Sequence, residues 1–230
     1  MPETLITRFD PDPALLEPLL EAASYQPWDA EKTWSQDWPG NVLSKRIVIY
    51  GDGTIARRGE AVRFAVDPGE LALCRRMAAE AEAVVHGLMI AGGSGGNEFR
   101  PFYNTASQGV TAPARIDGDL IRGRFAGTIF PQAEVAVEPM AEAGEWWAVV
   151  EEVFKDDPDL GRWKEAVRWF RSRPEFIDAA YIRIGDNLEN ASGMPEDPEA
   201  EAFGVVMPRL AVGLTHKGSL AGLAGCVILA

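Results

Sequence analysis

The chain has 230 residues, of which 47% are hydrophobic and 25% are charged, and this composition excludes general disorder. Its 35 acidic and 22 basic residues give a net charge of -13, which repels nucleic-acid phosphates, so direct nucleic-acid binding is not expected. Two cysteines outside any CxxC motif, a start unlike a signal peptide, and no apolar run near the roughly 18 residues of a membrane span predict a soluble cytoplasmic protein without membrane contact.

The first third of the chain predicts one helix and one hairpin. Asp12 and Pro13 are typical of a helix start, and the leucines that follow predict an amphipathic helix ending near Ser24. Residues 46–50 and 54–58 flank a Gly-Asp-Gly turn and predict two antiparallel strands.

A long helix follows. Asp67, Pro68 and Glu70 form the capping-box pattern, which predicts a helix running to about residue 89. The glycine-rich segment 92–96 ends it and is the one inviting domain boundary. Because the patterns on both sides of this segment predict parts of one sheet, we expect a single domain over residues 1–230.

The second half alternates strand and helix patterns. Residues 120–130 predict a bulged strand, and residues 145–154 and 160–171 predict two helices. A strand over residues 177–184 and a hairpin formed by residues 210–214 and 220–229 follow. The elements predict an α+β fold, a mainly antiparallel sheet flanked by three or four helices, with an α/β/α sandwich as one arrangement.

Motifs of known catalytic chemistry are missing from the sequence. Its two histidines, His86 and His216, lie outside any Gly-x-Ser-x-Gly or His-Glu-x-x-His pattern. The glycines at 92–96 follow a helix, whereas a phosphate site needs a glycine loop that precedes one. The sequence therefore predicts no catalytic residue, no metal site and no cofactor.

Two segments of the chain are strongly charged. The segment over residues 186–201 is acidic and predicts an exposed loop. This loop is either a partner-binding site or a solvated insertion. Its acids are Asp186, Glu189, Glu196, Asp197, Glu199 and Glu201. The helix over residues 160–171 has a basic outer face, and some of its arginines could contact the preceding acids Glu151, Glu152, Asp156 and Asp157.

A small-molecule pocket is an alternative function. Three tryptophans crowd one loop and either bind a ligand or cover the core. Such a pocket would lie between that loop and the segment 92–103, with polar contacts from an arginine, a tyrosine and an asparagine. The residues concerned are Trp28, Trp34, Trp38, Arg100, Tyr103 and Asn104. A structural subunit of a larger assembly is a third alternative, and the oligomeric state stays open.

The last part of the chain resembles a known family. The helix from Arg162 to Phe170, the strand from Tyr181 to Gly185 and the ending from Val212 to Leu223 are similar to the C-terminal part of the nuclease A inhibitor family, over residues 145–229. The resemblance implies an α/β/α sandwich that binds and blocks a non-specific nuclease, and it assigns no inhibitory residue. The leading hypothesis is a non-catalytic acidic protein of inhibitor or immunity type, steered to a basic surface on a protein partner.

Overall fold

Two long antiparallel strands lie at the centre of this computed structural model, which describes residues 8–20, 27–28, 41–60, 65–92, 95–96, 98–109, 111–188 and 205–229. The helices of this part are α1 (Pro13–Leu16), α2 (Pro68–Val85), α3 (Gly118–Arg124), α4 (Glu145–Val153) and α5 (Asp159–Ser172). The strands are β1 (Pro27–Trp28), β2 (Asn41–Ser44), β3 (Ile47–Ile49), β4 (Ile55–Arg57), β5 (Gly95–Gly96), β6 (Arg100–Asn104), β7 (Val135–Pro139), β8 (Phe176–Ile184), β9 (Val205–Thr215) and β10 (Leu220–Leu229).

The main sheet has eight strands within the described residues. Strands β7, β8, β9, β10 and β6 follow one another in antiparallel pairs, and β5 pairs with the far end of β10. Strands β1 and β2 add a parallel extension beside the start of β9. The separate hairpin β3–β4 confirms the hairpin that was predicted around the Gly-Asp-Gly turn. Because antiparallel pairs dominate the sheet, the α+β prediction is confirmed.

The central strand β9 is covered on both faces of the sheet. All 11 of its residues are buried, although successive side chains in a strand point to opposite faces. Helix α2 packs on β10 and β6, and α5 packs on α2 and β8, which forms one helical layer. Near the end of β9, a carbon added at Gly213 would lie 2.3 Å from the ring of Phe176, so the aromatic ring rests directly on the strand.

Helix α2 forms for the reasons that its sequence predicts. The Asp67 carboxylate accepts hydrogen bonds from the amides of Gly69 and Glu70, at 2.7 and 3.3 Å. The helix ends at Val85, earlier than expected, because His86 leaves the helical conformation with ψ at 122°. Glu70 does not act as the second half of the capping box, since its carboxylate accepts the hydroxyl of Thr215 in β9.

The predictions for the second half are confirmed with one exception. Helices α4 and α5, strand β8 and the hairpin β9–β10 occupy the predicted segments. The strand predicted over residues 120–130 is wrong, because Asp117 caps a helix there by accepting from the amide of Leu120 at 2.9 Å. With α3 added, the described chain has five helices, one above the expected range.

The first helix is shorter than expected. Helix α1 covers Pro13–Leu16, and a 3-10 turn at Glu17–Leu19 follows it. Pro18 has no amide hydrogen to continue the helical bonding. In the described part of the chain, no helix combines the length and the apolar character that a membrane crossing requires.

Candidate functional site

Helix α4 and its two ends form an acidic surface. Residues 142–157 contain six carboxylates and one basic residue, Lys155. Four of these acids, Glu142, Glu151, Glu152 and Asp156, are exposed and have no ion-pair partner in the part of the chain that the structure describes. Carboxylates without an ion-pair partner can attract an approaching cationic molecule.

Apolar side chains lie beside these acids. Val149 and Val153 are four residues apart and therefore share one face of α4, while Trp146 and Trp147 point into the core. The side chain of Val153 is 53% exposed, and Met89, in the chain segment after α2, is 43% exposed. We call Met89, Val149, Val153, Glu142, Glu151, Glu152 and Asp156 together the α4 surface.

The N-terminus of α4 is held by a carboxylate from β7. Glu138 accepts from the amides of Glu145 and Trp146, at 2.7 and 3.2 Å. Glu138 thus caps a helix that has Gly144 at its own cap position and no local side-chain cap. A carboxylate at this end also interacts favourably with the helix dipole.

Arg183 in β8 joins this cap to the start of the predicted acidic loop. Its guanidinium contacts Glu138 at 2.9 Å, Glu145 at 2.8 Å and Asp186 at 2.8 Å. Burial opposes the charge on Arg183, but the hydrogen bond to Glu145 and the charges of Asp186 and Glu138 raise its pKa above the usual value. The side chain is 16% exposed, so the ion pairs fix the position of α4 on the sheet.

Asp186 is the one residue of the predicted partner-binding set that the structure describes. It lies just after β8 and contacts two arginines, Arg183 at 2.8 Å and Arg209 at 2.6 Å. Its charge is therefore balanced locally, and it is anchored rather than free. The other predicted residues lie outside the described part of the chain: Glu189, Glu196, Asp197, Glu199 and Glu201.

The contacts expected between α5 and the preceding acids do not form. Arg162 pairs with Asp159 at 2.9 Å and also donates to the carbonyl of His86. Arg173 turns to Glu80 of α2, at 3.6 Å. The acids of the α4 surface consequently have no ion-pair partner on α5.

The polar residues of the alternative pocket do not converge on one site. Arg100 is exposed and pairs with Glu82 and Glu98, at 3.8 and 3.5 Å. Tyr103 and Asn104 are buried, and both bond to the turn between β3 and β4.

Of the three tryptophans of this pocket, Trp34 and Trp38 lie outside the described residues, and Trp28 is described only as part of β1. A cleft of about 500 Å³ lies beside Arg100, between the start of β6 and the segment 14–18.

A buried polar cluster at the β9–β10 turn was not foreseen from the sequence. The Ser219 hydroxyl accepts from the amide of Ala106 at 2.9 Å, and the Thr215 hydroxyl accepts from the amide of Ser219 at 3.0 Å. Cys74 is fully buried next to it, and burial raises the pKa of its thiol to about 12. A thiol with that pKa stays protonated and is a poor nucleophile at neutral pH.

Arg124 of α3 completes this cluster. It donates to the side-chain oxygen of Asn104 at 3.0 Å and to the carbonyl of Gly218 at 2.6 Å, and burial lowers its pKa. Sequence patterns could not have identified the cluster, because its members are up to 145 residues apart. Among the described residues, no group of three or more His, Cys, Asp or Glu side chains is arranged to hold a metal ion.

No protein-family model matches the chain, and no curated protein matches its sequence. The chemistry of the molecule's own surface is therefore the basis for a functional proposal. The described arrangement combines unpaired carboxylates with exposed apolar side chains on a firmly anchored helix, which suits binding to a cationic surface.

Proposed function

We propose that this protein is a non-catalytic acidic binding protein of inhibitor or immunity type, and that it acts on a protein partner with a basic surface. The observation that supports the proposal best is the α4 surface, where Glu142, Glu151, Glu152 and Asp156 have no ion-pair partner within the described chain. Unpaired carboxylates accelerate the approach of a basic partner and raise the association rate, most strongly at low salt.

The predicted acidic loop would enlarge this surface. Glu145 at the start of α4 and Asp186 at the start of the loop both contact Arg183 at 2.8 Å. Asp186 therefore lies beside the N-terminus of α4. We propose that the loop acids contribute to the same negative field as the α4 surface.

The resemblance of residues 145–229 to the nuclease A inhibitor family supports the inhibitor class. It makes a non-specific nuclease the first partner to test. Such nucleases bind polyanions and therefore present cationic surfaces, which an acidic protein can block.

A capture experiment with two charge variants tests the proposal. The test variant neutralises the unpaired acids of the α4 surface: Glu142→Gln, Glu151→Gln, Glu152→Gln and Asp156→Asn. The control variant neutralises four exposed acids elsewhere: Asp10→Asn, Glu17→Gln, Glu60→Gln and Asp119→Asn. Both variants lose the same formal charge, so a difference between them reports on location rather than on net charge.

Each protein is immobilised and exposed to a lysate of its native host, and bound proteins are identified by mass spectrometry. We expect wild type and the control variant to retain one basic protein in stoichiometric amount at low salt, and the α4 variant to retain much less. Kinetics with the purified partner should show a lower association rate and a flatter salt dependence for the α4 variant. Failure of the wild type to retain any stoichiometric protein at low and physiological salt would contradict the proposal.

A small-molecule site is the second candidate function, and the cleft beside Arg100 favours it. Its volume of about 500 Å³ lies within the range of about 300–1,000 Å³ that is usual for ligand sites. A thermal-shift screen of small polar metabolites tests it. A ligand that stabilises wild type but not an Arg100→Ala variant would support this candidate over the first.

A further inference from the structure

We propose that Met89, Val149 and Val153 form the apolar centre of the docking site, and that they receive an apolar side chain of the basic partner while the surrounding acids contact its cations. This inference rests on the proposed function and adds where the partner docks and which contacts hold it.

The three apolar residues belong to one region of the molecule. A carbon added at Gly92 would lie 3.6 Å from Val149, so the end of the segment 86–92 runs against α4. The other end of this segment is fixed at the start of α5, where Arg162 donates to the carbonyl of His86. Met89 lies between these two contacts along the chain, in a segment that runs from the start of α5 to α4.

Exposed apolar side chains are scarce in the described chain, and two of the three large ones lie here. Met89 is 43% exposed and Val153 is 53% exposed, while the third, Ile177, is 41% exposed at the start of β8. Glu152 lies three residues after Val149 on α4, and Asp156 follows in the turn just beyond the C-terminus of the helix. An apolar centre with a charged rim is the usual anatomy of a protein interface.

The charge of the rim identifies the occupant. A second copy of the chain would bring the same carboxylates face to face across a two-fold interface, and the two sets would repel each other. The acidic segment 189–201 would be repelled for the same reason. A partner surface with lysines or arginines around an apolar side chain is complementary to both the apolar centre and the acidic rim.

The test compares two serine variants by surface plasmon resonance, with the purified protein retained by wild type as the probe. Met89→Ser/Val153→Ser removes the exposed apolar centre, and Ile177→Ser removes the third exposed apolar side chain as a control. We expect the double variant to raise Kd at least about tenfold, mainly through faster dissociation, because burial of each lost methyl or methylene group contributes to binding. The salt dependence should stay at the wild-type slope, and the control should bind like wild type.

Three results would overturn the inference. If the double variant binds within twofold of wild type while the four-acid variant is weakened, the proposed function stands and the apolar centre is wrong. If Ile177→Ser weakens binding as much as the double variant, the docking site is misplaced. If light scattering shows a wild-type dimer that the double variant converts to monomer, the occupant is a second copy. Melting temperatures of both variants, compared with wild type, confirm that the fold is retained.

Discussion

Replacing Arg183 with methionine should destabilise the protein, because it removes the cation that holds three carboxylates together. The contributions differ among the three partners. Glu145 is 84% exposed, so its contact with Arg183 contributes little to stability. Glu138 and Asp186 are 19% and 26% exposed, and their contacts with Arg183 contribute more. Methionine keeps most of the volume, so packing losses stay small.

The magnitude follows from what each carboxylate retains. Breaking a fully buried ion pair costs about 3–5 kcal/mol. Here Glu138 keeps the amides of Glu145 and Trp146, and Asp186 keeps Arg209. Both carboxylates also reach some solvent, so we expect a loss of about 2 kcal/mol in the free energy of unfolding. For a chain of this size, that corresponds to a fall in Tm of about 4–8 °C.

Urea unfolding followed by tryptophan fluorescence and circular dichroism measures this loss. The matched control is Arg76→Met in α2, whose side chain is 52% exposed and also bridges two acids, Glu80 and Glu175. Because exposed ion pairs contribute little, we expect the control to lose less than about 0.5 kcal/mol. Equal losses for the two variants would refute the argument that burial makes the Arg183 contacts matter.

Three further predictions concern the core and the start of α2. A Gly213→Ala variant should lose about 2–3 kcal/mol in urea unfolding, because the new carbon would lie 2.3 Å from the ring of Phe176. An Asp67→Ala variant should lose about 1 kcal/mol at pH 7. The hydrogen bond from Lys217 lowers the pKa of Asp67 below its usual 3.8, so part of this contribution is present above pH 4 and is lost as the pH falls through the folded-state pKa. The thiol of Cys74, with a pKa of about 12, should not react with Ellman's reagent at pH 8 until urea unfolds the protein.

Matched variants check the same reasoning. Gly161→Ala in α5 adds a carbon with no neighbour within 4 Å and should stabilise by up to about 1 kcal/mol. Asp67→Asn keeps a capping oxygen and should lose less than Asp67→Ala at pH 7. A destabilising Gly161→Ala, or a penalty for Asp67→Ala that is the same at pH 3 and pH 7, would contradict these explanations. Rapid labelling of the native protein would contradict the burial of the thiol.

The elements with long regular patterns could be predicted from the sequence. Helix α2 has an apolar stripe with a helical period, and strands β9 and β10 are long apolar runs. Helices α4 and α5 have tryptophans on their buried faces. Such patterns indicate the type of element from the sequence alone. Helix α3 was missed because seven residues, Gly118–Arg124, are too few to show a helical period, and their apolar residues and glycine imitate a bulged strand. The cap at Asp117 decides the outcome, and an aspartate before a glycine is equally typical of a turn.

The candidate site could be predicted only in part. The acids in residues 142–157 are visible in the sequence. Whether they form ion pairs depends on which partners the arginines in and just after α5 contact. Arg162 and Arg173 take other partners, which no local pattern indicates. Likewise, Arg183 meets Glu138 across 45 residues of sequence through the register of β7 on β8.

The central place of β9 and β10 has a consequence for synthesis in the cell. These strands pair with each other and with β6, β8, β5 and β2, yet they follow all of these in the chain. While the ribosome is still translating residues 205–229, helix α2 and strands β6 and β8 lack the central strands on which they pack. We therefore expect nascent chains that stop before residue 205 to engage chaperones or be degraded, and the native fold to form only after translation of the hairpin is complete.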